Sequence, residues 1–333
     1  MPTLHAPVPR STPSRPWLGR GSKRQATQGG VAIIMVLLTV AFVVGLAAST
    51  LSVIDAGITR RIGAHDQLQA QLLAQAAVDR ARQVLVEDLR LGNVDHLAER
   101  WATGPLPVSL PDEDSQLAVS IIDPSGRINL NNLIHDGVDD TREIARLQRL
   151  MRSLGIDEAT SWQLITALLD WLDADDTPRP GQGAEVAWYA AQTPPVQPAN
   201  GPLAGIGELA AVRGYTPELL ARLSPFLSAL PTTTPLNVNT APAEILAAAV
   251  PGLSLQAARQ LVEERQRAWF KDIPDFNARL GSLNLSGNGM LLAVDSRYFL
   301  VSIRARHGIA VVRHEVLLDR TPNRSLILWQ RRL

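Results

Sequence analysis

The chain has 333 residues, no cysteine, and equal numbers of basic and acidic residues, 32 of each. Without cysteine it forms no disulfide, holds no thiolate zinc site and has no cysteine nucleophile. Five basic residues and no acid lie in the first 30 positions, which leaves 27 basic against 32 acidic residues in the remainder. A mildly acidic body gives no electrostatic reason to expect nucleic acid as a partner.

The N-terminal region predicts a single membrane span. Residues 1–28 are rich in Pro, Ser and Arg, and we expect them to be disordered. The 24 uncharged residues from Val31 to Ile54 would rise roughly 36 Å as a helix, enough to cross a hydrocarbon core of about 30 Å. Basic residues before a span predict a cytoplasmic N-terminus, which would place the body on the far side of the membrane.

The junction between leader and span resembles the class III signal of type IV pilins and type II secretion pseudopilins, because a basic leader ends in Gly30 and runs directly into an apolar helix. The resemblance implies cleavage after Gly30 by the prepilin peptidase and methylation of the new N-terminus, Val31. Most members carry Glu at the fifth mature position, where this chain has Met35. An unpaired buried carboxylate is costly, so this absence suggests a tip subunit with no neighbour beyond it. An ordinary signal anchor with a chance Gly-Gly is the alternative.

A long helix is predicted to continue beyond the span. Apolar residues recur mostly three or four positions apart from Ile58 to Leu89, and no proline occurs between Val31 and Gly104. This pattern predicts one helix from Val31 to about Arg90, half in lipid and half on a globular body.

One early strand and three late strands are predicted from alternating apolar and polar residues. The early strand is Leu117–Ile122, and the late ones begin near Tyr298, Ile309 and Ser325. Because a lone strand leaves its backbone groups unpaired, we expect one antiparallel sheet assembled across an insertion. Helix signals fill the insertion, with N-caps predicted at Asp140, Asp157, Thr216, Thr240 and Ser254.

The predicted fold class is α+β: a long N-terminal α-helix packed on an antiparallel, pilin-like sheet, with a large inserted all-α domain. The insertion is expected to comprise two subdomains, about 126–228 and 229–286. The predicted organisation is a leader over 1–30, a transmembrane segment over 31–54, a stalk and first strand over 55–125, the insertion over 126–286 and return strands over 287–333.

Four motifs of the body resemble protein K of the general secretion pathway, in that family's order. They are "DPSGRINLNNLI" from Asp123, "LLDWLDADDTPRPGQGAEVAWY" from Leu168, "PANGPLAGIGELAAVRG" from Pro198 and "PLNVNTAPAEILAA" from Pro235. The resemblance implies a minor pseudopilin at the pseudopilus tip, with minor pseudopilins I, J and H, the major pseudopilin and the prepilin peptidase as partners. It also implies a single-pass protein of the inner membrane with a periplasmic body.

An acidic loop predicts a cation site. Asp173, Asp175, Asp176 and Glu185 lie close together in a stretch that also contains Asp170 and the glycines 181 and 183. Calcium takes six to eight oxygen ligands, and these acids could supply several, although their spacing is not that of an EF-hand. The alternative to a cation site is that these acidic side chains are simply solvated near a helix end. The family resemblance implies calcium in this domain, with Asp173, Asp175, Asp176 and Glu185 as candidate ligands.

A helix-hairpin-helix pattern over Asn237–Gln266 supports the rival function, a membrane-anchored protein for DNA binding or uptake. Such units bind phosphates through hairpin amides and a helix N-terminus. Residues 229–284 contain five basic and five acidic residues, so there is no basic face to strengthen phosphate binding. We therefore expect a packing module and no nucleic acid.

No catalytic pattern is found in the sequence. The six histidines show neither zinc spacing nor the arrangement of a catalytic triad, and there is neither a P-loop nor a Gly-x-Ser-x-Gly motif. We predict that the protein is not an enzyme.

Overall fold

The computed structural model describes residues 26–104, 108, 110, 112–180, 183–322 and 324–333, with side chains from residue 30 onwards. The prediction for the leader therefore lies largely outside the described residues. Contacts within the chain divide it into two units, residues 1–62 and 63–333.

Helix α1 runs from Ala26 to Leu91 and confirms the predicted continuous helix, with a start five residues earlier than expected. In the first unit, the large apolar side chains from Val31 to Ile54 are each more than half exposed. By length and composition this helix can cross a membrane. A continuous apolar surface of this kind is stable in lipid or against neighbouring apolar helices.

The second unit is built from short helices and one larger sheet. Its helices after α1 are α2 Arg100–Thr103, α3 Thr141–Ser153, α4 Glu158–Leu172, α5 Val186–Ala190, α6 Pro217–Leu223, α7 Ala243–Ala249, α8 Leu255–Arg267 and α9 Ile273–Gly281. Its strands are β1 Ser115–Ile122, β2 Ile128–Asn129, β3 Ile134–His135, β4 Val138–Asp139, β5 Leu227–Ser228, β6 Leu236–Asn237, β7 Leu292–Ala293, β8 Tyr298–His307, β9 Ala310–Thr321 and β10 Arg324–Arg332.

The larger sheet is antiparallel, with the strand order β1-β8-β9-β10. Strand β1 pairs with β8, so that Leu117 lies opposite Ala305 and Ile121 opposite Val301. The early strand therefore finds its partner across the insertion, as the sequence predicted. A core forms between this sheet and the C-terminal part of α1, where small buried residues such as Ala70 allow close packing.

The insertion has its own hydrophobic core, formed mainly by α3, α4, α7, α8 and α9. Its described residues also contain two pairs of two-residue strands, and a third pair joins β6 to β7, which lies just beyond the predicted end of the insertion at residue 286. The prediction of an all-α insertion did not include these strands. Strands β2 and β5 pair in parallel, β3 and β4 are antiparallel, and β6 and β7 are parallel. Two residues carry no readable alternation, so these pairs have no sequence signal.

Four of the five predicted N-caps are confirmed by side-chain hydrogen bonds to backbone amides, those of Asp140, Asp157, Thr216 and Ser254. The prediction for Thr240 is wrong. Helix α7 begins after Pro242, and the Thr240 hydroxyl instead donates to Asp123 Oδ2. The Thr240 hydroxyl bonds the Asp123 carboxylate, which is distant in sequence, and does not cap the neighbouring helix.

A polar cluster joins the sheet to the insertion, and we call Asp123, Asn237, Thr240 and Ser296 the junction cluster. Thr240 is half-buried and the other three residues are buried. Asp123 Oδ2 accepts hydrogen bonds from Thr240 Oγ1 and Ser296 Oγ, both at 2.6 Å, and from Asn237 Nδ2 at 3.0 Å. Burial raises the pKa of Asp123, while these hydroxyl donors act to lower it. The cluster connects the end of β1, the chain around β6 and the segment that leads into β8.

Candidate metal centre

Three acidic side chains converge where α4 ends and α5 begins, and we call Asp170, Asp173 and Glu185 the carboxylate cluster. Asp170 lies in the last turn of α4, Asp173 is its C-cap residue, and Glu185 directly precedes α5. One carboxylate oxygen from each residue lies within 4.8 Å of the others. The apolar face of α4, which includes Leu168 and Trp171, fixes the helix in the core and so positions the two aspartates.

The Glu185 carboxylate is buried, and no described residue places a counter-charge on its oxygens. Its residue is 3% exposed, and among the described residues neither Glu185 oxygen nor Asp173 Oδ1 has a hydrogen-bond partner. Burial, followed by repulsion from Asp170 and Asp173, raises the pKa of Glu185 to about 7. Unpaired buried carboxylate oxygens are costly, so the cluster is suited to a cation.

Arg179 contacts this cluster through its guanidinium. Its Nη1 donates to Asp170 Oδ1 at 2.9 Å and also to Asp173 Oδ2. Its Nη2 donates to Asp139 Oδ1 at 2.9 Å, so one guanidinium connects the end of α4 to strand β4. The backbone amide of Arg179 also donates to the Asp170 carboxylate.

Gly183 closes the loop tightly over Asp170. A Cβ atom at Gly183 would clash with Asp170 Oδ2 and would lie 2.5 Å from the Arg179 nitrogen and 2.6 Å from the Arg179 carbonyl oxygen. Two of these three atoms are backbone and cannot rotate away. Glycine is therefore required for the loop to reach the cluster.

The structure brings together Asp173 and Glu185 of the four predicted ligands and adds Asp170. Asp175 and Asp176 are exposed in the same loop, where Asp175 Oδ1 accepts from the Thr177 amide and Asp176 Oδ1 accepts from Asn200 Nδ2. Gly181, also expected in this turn, lies outside the described residues. The assignment of the four ligands stays a prediction.

The residues of the carboxylate cluster fit a calcium ion. All three donors are carboxylates, and three of their oxygens have no other partner among the described residues. Hard oxygen donors of this kind suit Ca²⁺. Arg179 and Asp139 are not among the residues predicted from the sequence. The available signal for Arg179 is its position as the one basic residue in an acidic stretch of the sequence.

A second group of acids, Asp88, Asp95 and Glu99, also lies within 4.8 Å. Here a side chain supplies the cation, because Arg320 contacts Asp88 Oδ2 at 2.9 Å and also pairs with Asp95. Glu99 Oε2 accepts from the His96 amide and from Trp101 Nε1. This group is therefore an internal ion-pair network.

The predicted processing residues, Gly30 and Val31, and the predicted fifth mature position, Met35, lie in the first unit and are exposed. Their role in processing stays a prediction. A Cβ at Gly30 would meet no atom within 4 Å among the described residues. Packing against the described residues therefore does not require glycine at that position.

Comparisons with known proteins identify the family. Two models of "Type II secretion system (T2SS), protein K" match residues 126–232 and 236–295. The type II secretion system protein K of Pseudomonas aeruginosa is 37% identical over 283 residues, which cover 82% of this chain and 83% of the relative. The chain belongs to the type II secretion system protein K family.

Other members of the protein K family align over nearly their whole length. The protein K of Klebsiella pneumoniae is 31% identical, with 92% of this chain and 96% of the relative covered. That of Aeromonas hydrophila is 28% identical, with 91% and 96% covered.

A solved structure shows the same fold. It is the GspK-GspI-GspJ complex from the type 2 secretion system of enterotoxigenic Escherichia coli, matched with a TM-score of 0.71 and 25% identity over 82% of this chain and 99% of that chain. The predicted pilin-like α+β fold is thereby confirmed.

The protein is a minor pseudopilin of a type II secretion system, and its family is one of structural components. The DNA-binding alternative is not favoured, because the helix-hairpin-helix segment lies inside the second protein K match, over residues 236–295.

Proposed function

We propose that this minor pseudopilin lies at the tip of the type II secretion pseudopilus and, with minor pseudopilins I, J and H, starts and caps the assembly of the major pseudopilin. The observation that supports this most is the similarity to GspK in a structure solved together with GspI and GspJ. The proposed partners of this chain are the corresponding subunits of its own secretion system.

In this proposal α1 has two successive environments. It first anchors the protein in the inner membrane as a single span, with the N-terminus cytoplasmic and the body periplasmic. After the prepilin peptidase cuts behind Gly30 and Val31 is methylated, the exposed apolar side chains of the helix exchange lipid for neighbouring pseudopilin helices. The same apolar surface is buried in lipid before the exchange and against neighbouring helices after it, so the exchange costs little free energy.

The tip position is supported by Met35. A carboxylate at that position would be buried without a partner in a subunit that has no neighbour beyond it. A thioether carries no such penalty, and the insertion is expected to block addition of a further subunit above it. Growth then proceeds only from below.

Calcium is proposed as a structural ion of the insertion. Asp170, Asp173 and Glu185 would hold it, and the ion would supply the positive charge that no described residue gives to the buried Glu185 oxygens. It would tie the end of α4 to the start of α5 and so order the loop between them.

Co-purification tests the tip proposal. The full-length chain with an affinity tag is co-expressed with subunits I and J of the same secretion system, extracted in detergent and purified. We expect I and J to elute with it as one complex. In the control, the chain is co-expressed with the major pseudopilin in place of I and J, and we expect less of the major pseudopilin to elute with it. Elution of the chain without I and J would contradict the proposal.

A further inference from the structure

We infer that Arg179 is a positioning residue for the cation site: its guanidinium holds one oxygen of Asp170 and one of Asp173, so that the cluster's remaining oxygens are turned towards the cation. The inference rests on the calcium site proposed above and concerns a residue outside the carboxylate set. It assigns to Arg179 a direct effect on cation affinity.

The first argument is the division of oxygens within the cluster. Arg179 Nη1 contacts Asp170 Oδ1 and Asp173 Oδ2. Asp173 Oδ1 and both Glu185 oxygens are left without a partner among the described residues. Each aspartate therefore offers one oxygen to the guanidinium, and Asp173 keeps its other oxygen without a partner among the described residues.

The second argument is the anchoring of Arg179 itself. Its Nη2 contacts Asp139 Oδ1, 40 residues earlier in the chain, at 2.9 Å. Its backbone amide donates to Asp170 Oδ1 at 3.3 Å and Oδ2 at 3.2 Å. A side chain fixed at the guanidinium and at the backbone can orient two carboxylates, as hydrogen-bonded outer residues do around metal ligands. Lysine lacks the planar fork and cannot make these contacts in the same geometry.

The third argument is charge. Three carboxylates contact the Arg179 guanidinium, those of Asp139, Asp170 and Asp173, and the Glu185 carboxylate lies within 4.8 Å of the last two. When all four carboxylates are ionised, they and the guanidinium carry a net charge of −3 (−4 + 1). One divalent cation does not fully neutralise this charge. Arg179 and Ca²⁺ can therefore occupy the site together, each on its own set of oxygens.

The competing hypothesis is that Arg179 substitutes for the cation and must leave before an ion binds. The two hypotheses predict opposite effects of removing the guanidinium. Removal weakens calcium binding if Arg179 orients the ligands, and strengthens it if Arg179 competes with the ion.

The test is calcium titration by isothermal calorimetry with the full chain in detergent. The variants are Arg179→Gln, Arg179→Lys and the charge control Arg152→Gln. Arg152 is exposed on α3, and within the described part of the chain it forms an ion pair with Glu158 at 3.9 Å. We expect Arg179→Gln to raise the Kd about 10- to 100-fold, Arg179→Lys to rescue little of the loss, and Arg152→Gln to stay within about twofold.

A purely structural role for Arg179 would lower the melting temperature of the calcium-free chain and leave the Kd unchanged. An unchanged or lower Kd in Arg179→Gln overturns the inference. If that variant does not fold, Asp139→Asn decides, because it removes only the far anchor: a several-fold rise in Kd supports the inference and an unchanged Kd overturns it. Absence of binding by the wild type would instead refute the calcium site, and with it the inference.

Discussion

The Thr240 hydroxyl donates a 2.6 Å hydrogen bond to Asp123 Oδ2 and thereby joins the second half of the insertion to the end of strand β1. Ser296 and Asn237 donate to the same oxygen. Because Asp123 directly follows β1 and Ser296 precedes β8, this one carboxylate lies where the chain leaves the sheet for the insertion and returns to it. The junction cluster therefore couples the two cores of the second unit.

We predict that Asp123→Ala lowers the free energy of unfolding by about 2–4 kcal/mol, because it leaves the hydroxyls of the buried Ser296 and the half-buried Thr240 without their carboxylate acceptor. Chemical denaturation followed by tryptophan fluorescence measures the change. The exposed Asp114→Asn is the control and should stay within about 0.5 kcal/mol of the wild type. Equal stability of the two variants would show that the junction cluster contributes little.

Gly126→Ala tests the same junction by steric means. The new Cβ would lie 2.6 Å from Thr240 Oγ1 and 2.8 Å from the Thr240 carbonyl carbon, so the backbone must move. Overpacking of this kind costs about 1–3 kcal/mol. Gly207→Ala, whose Cβ would meet no described atom within 4 Å, is the matched control. A comparable loss in both variants would mean that Gly126 is not closely packed in solution.

The stability of the body should depend on the ionisation of Glu99. Burial raises the pKa of Glu99 from 4.5 to about 7, against the lowering effect of hydrogen bonds from His96 and Trp101. The folded state therefore binds more protons than the unfolded state between about pH 4.5 and 7, and the free energy of unfolding falls as pH rises through this window.

Glu99→Gln does not titrate and should gain stability relative to the wild type from pH 5 to 8, by as much as about 3 kcal/mol. Urea denaturation at each pH measures the difference between the two proteins. The exposed Glu87→Gln is the charge control. A pH-independent difference between Glu99→Gln and the wild type would be inconsistent with a raised pKa.

Calcium should stabilise the protein through Glu185. At millimolar calcium we expect the melting temperature of the wild type to rise by about 5 °C or more, as for an ion present at about 100 times its Kd. Glu185→Gln should abolish most of the rise, because a buried amide is a poorer ligand than a carboxylate. Asp175→Asn, in the exposed part of the loop, should retain most of it. Calorimetry with and without a chelator measures the rise in melting temperature for the wild type and each variant. An equal rise in the wild type and in Glu185→Gln would exclude Glu185 as a ligand.

Much of the fold could be predicted because its signals are local. The apolar repeat and the absence of proline predicted α1, and the alternation in Leu117–Ile122 predicted β1 together with the need for a partner across the insertion. The role of Thr240 could not be predicted, because a threonine just before a helix is typical of an N-cap. Only the folded chain brings the Asp123 carboxylate within its reach.

The candidate site was predictable only in part. A high density of acids indicated Asp173 and Glu185, which the structure places together. The sequence could not indicate that Asp175 stays exposed while Glu185 is buried, since both occur in one polar loop. The role of Arg179 depends on contact with Asp139, which is 40 residues away, and such a pairing is determined by tertiary structure.

The measurement that tests the account most directly is the mass of the mature protein isolated from the membranes of its host. We predict a chain that begins with methylated Val31. For Gly30→Leu we predict an unprocessed precursor. The Cβ of the new leucine has no described neighbour within 4 Å, so the substitution should not disturb the fold. A mature protein that still carries its first 30 residues, or that begins well after Ile54, would contradict the assignment of α1 as the processed assembly helix of a pseudopilin.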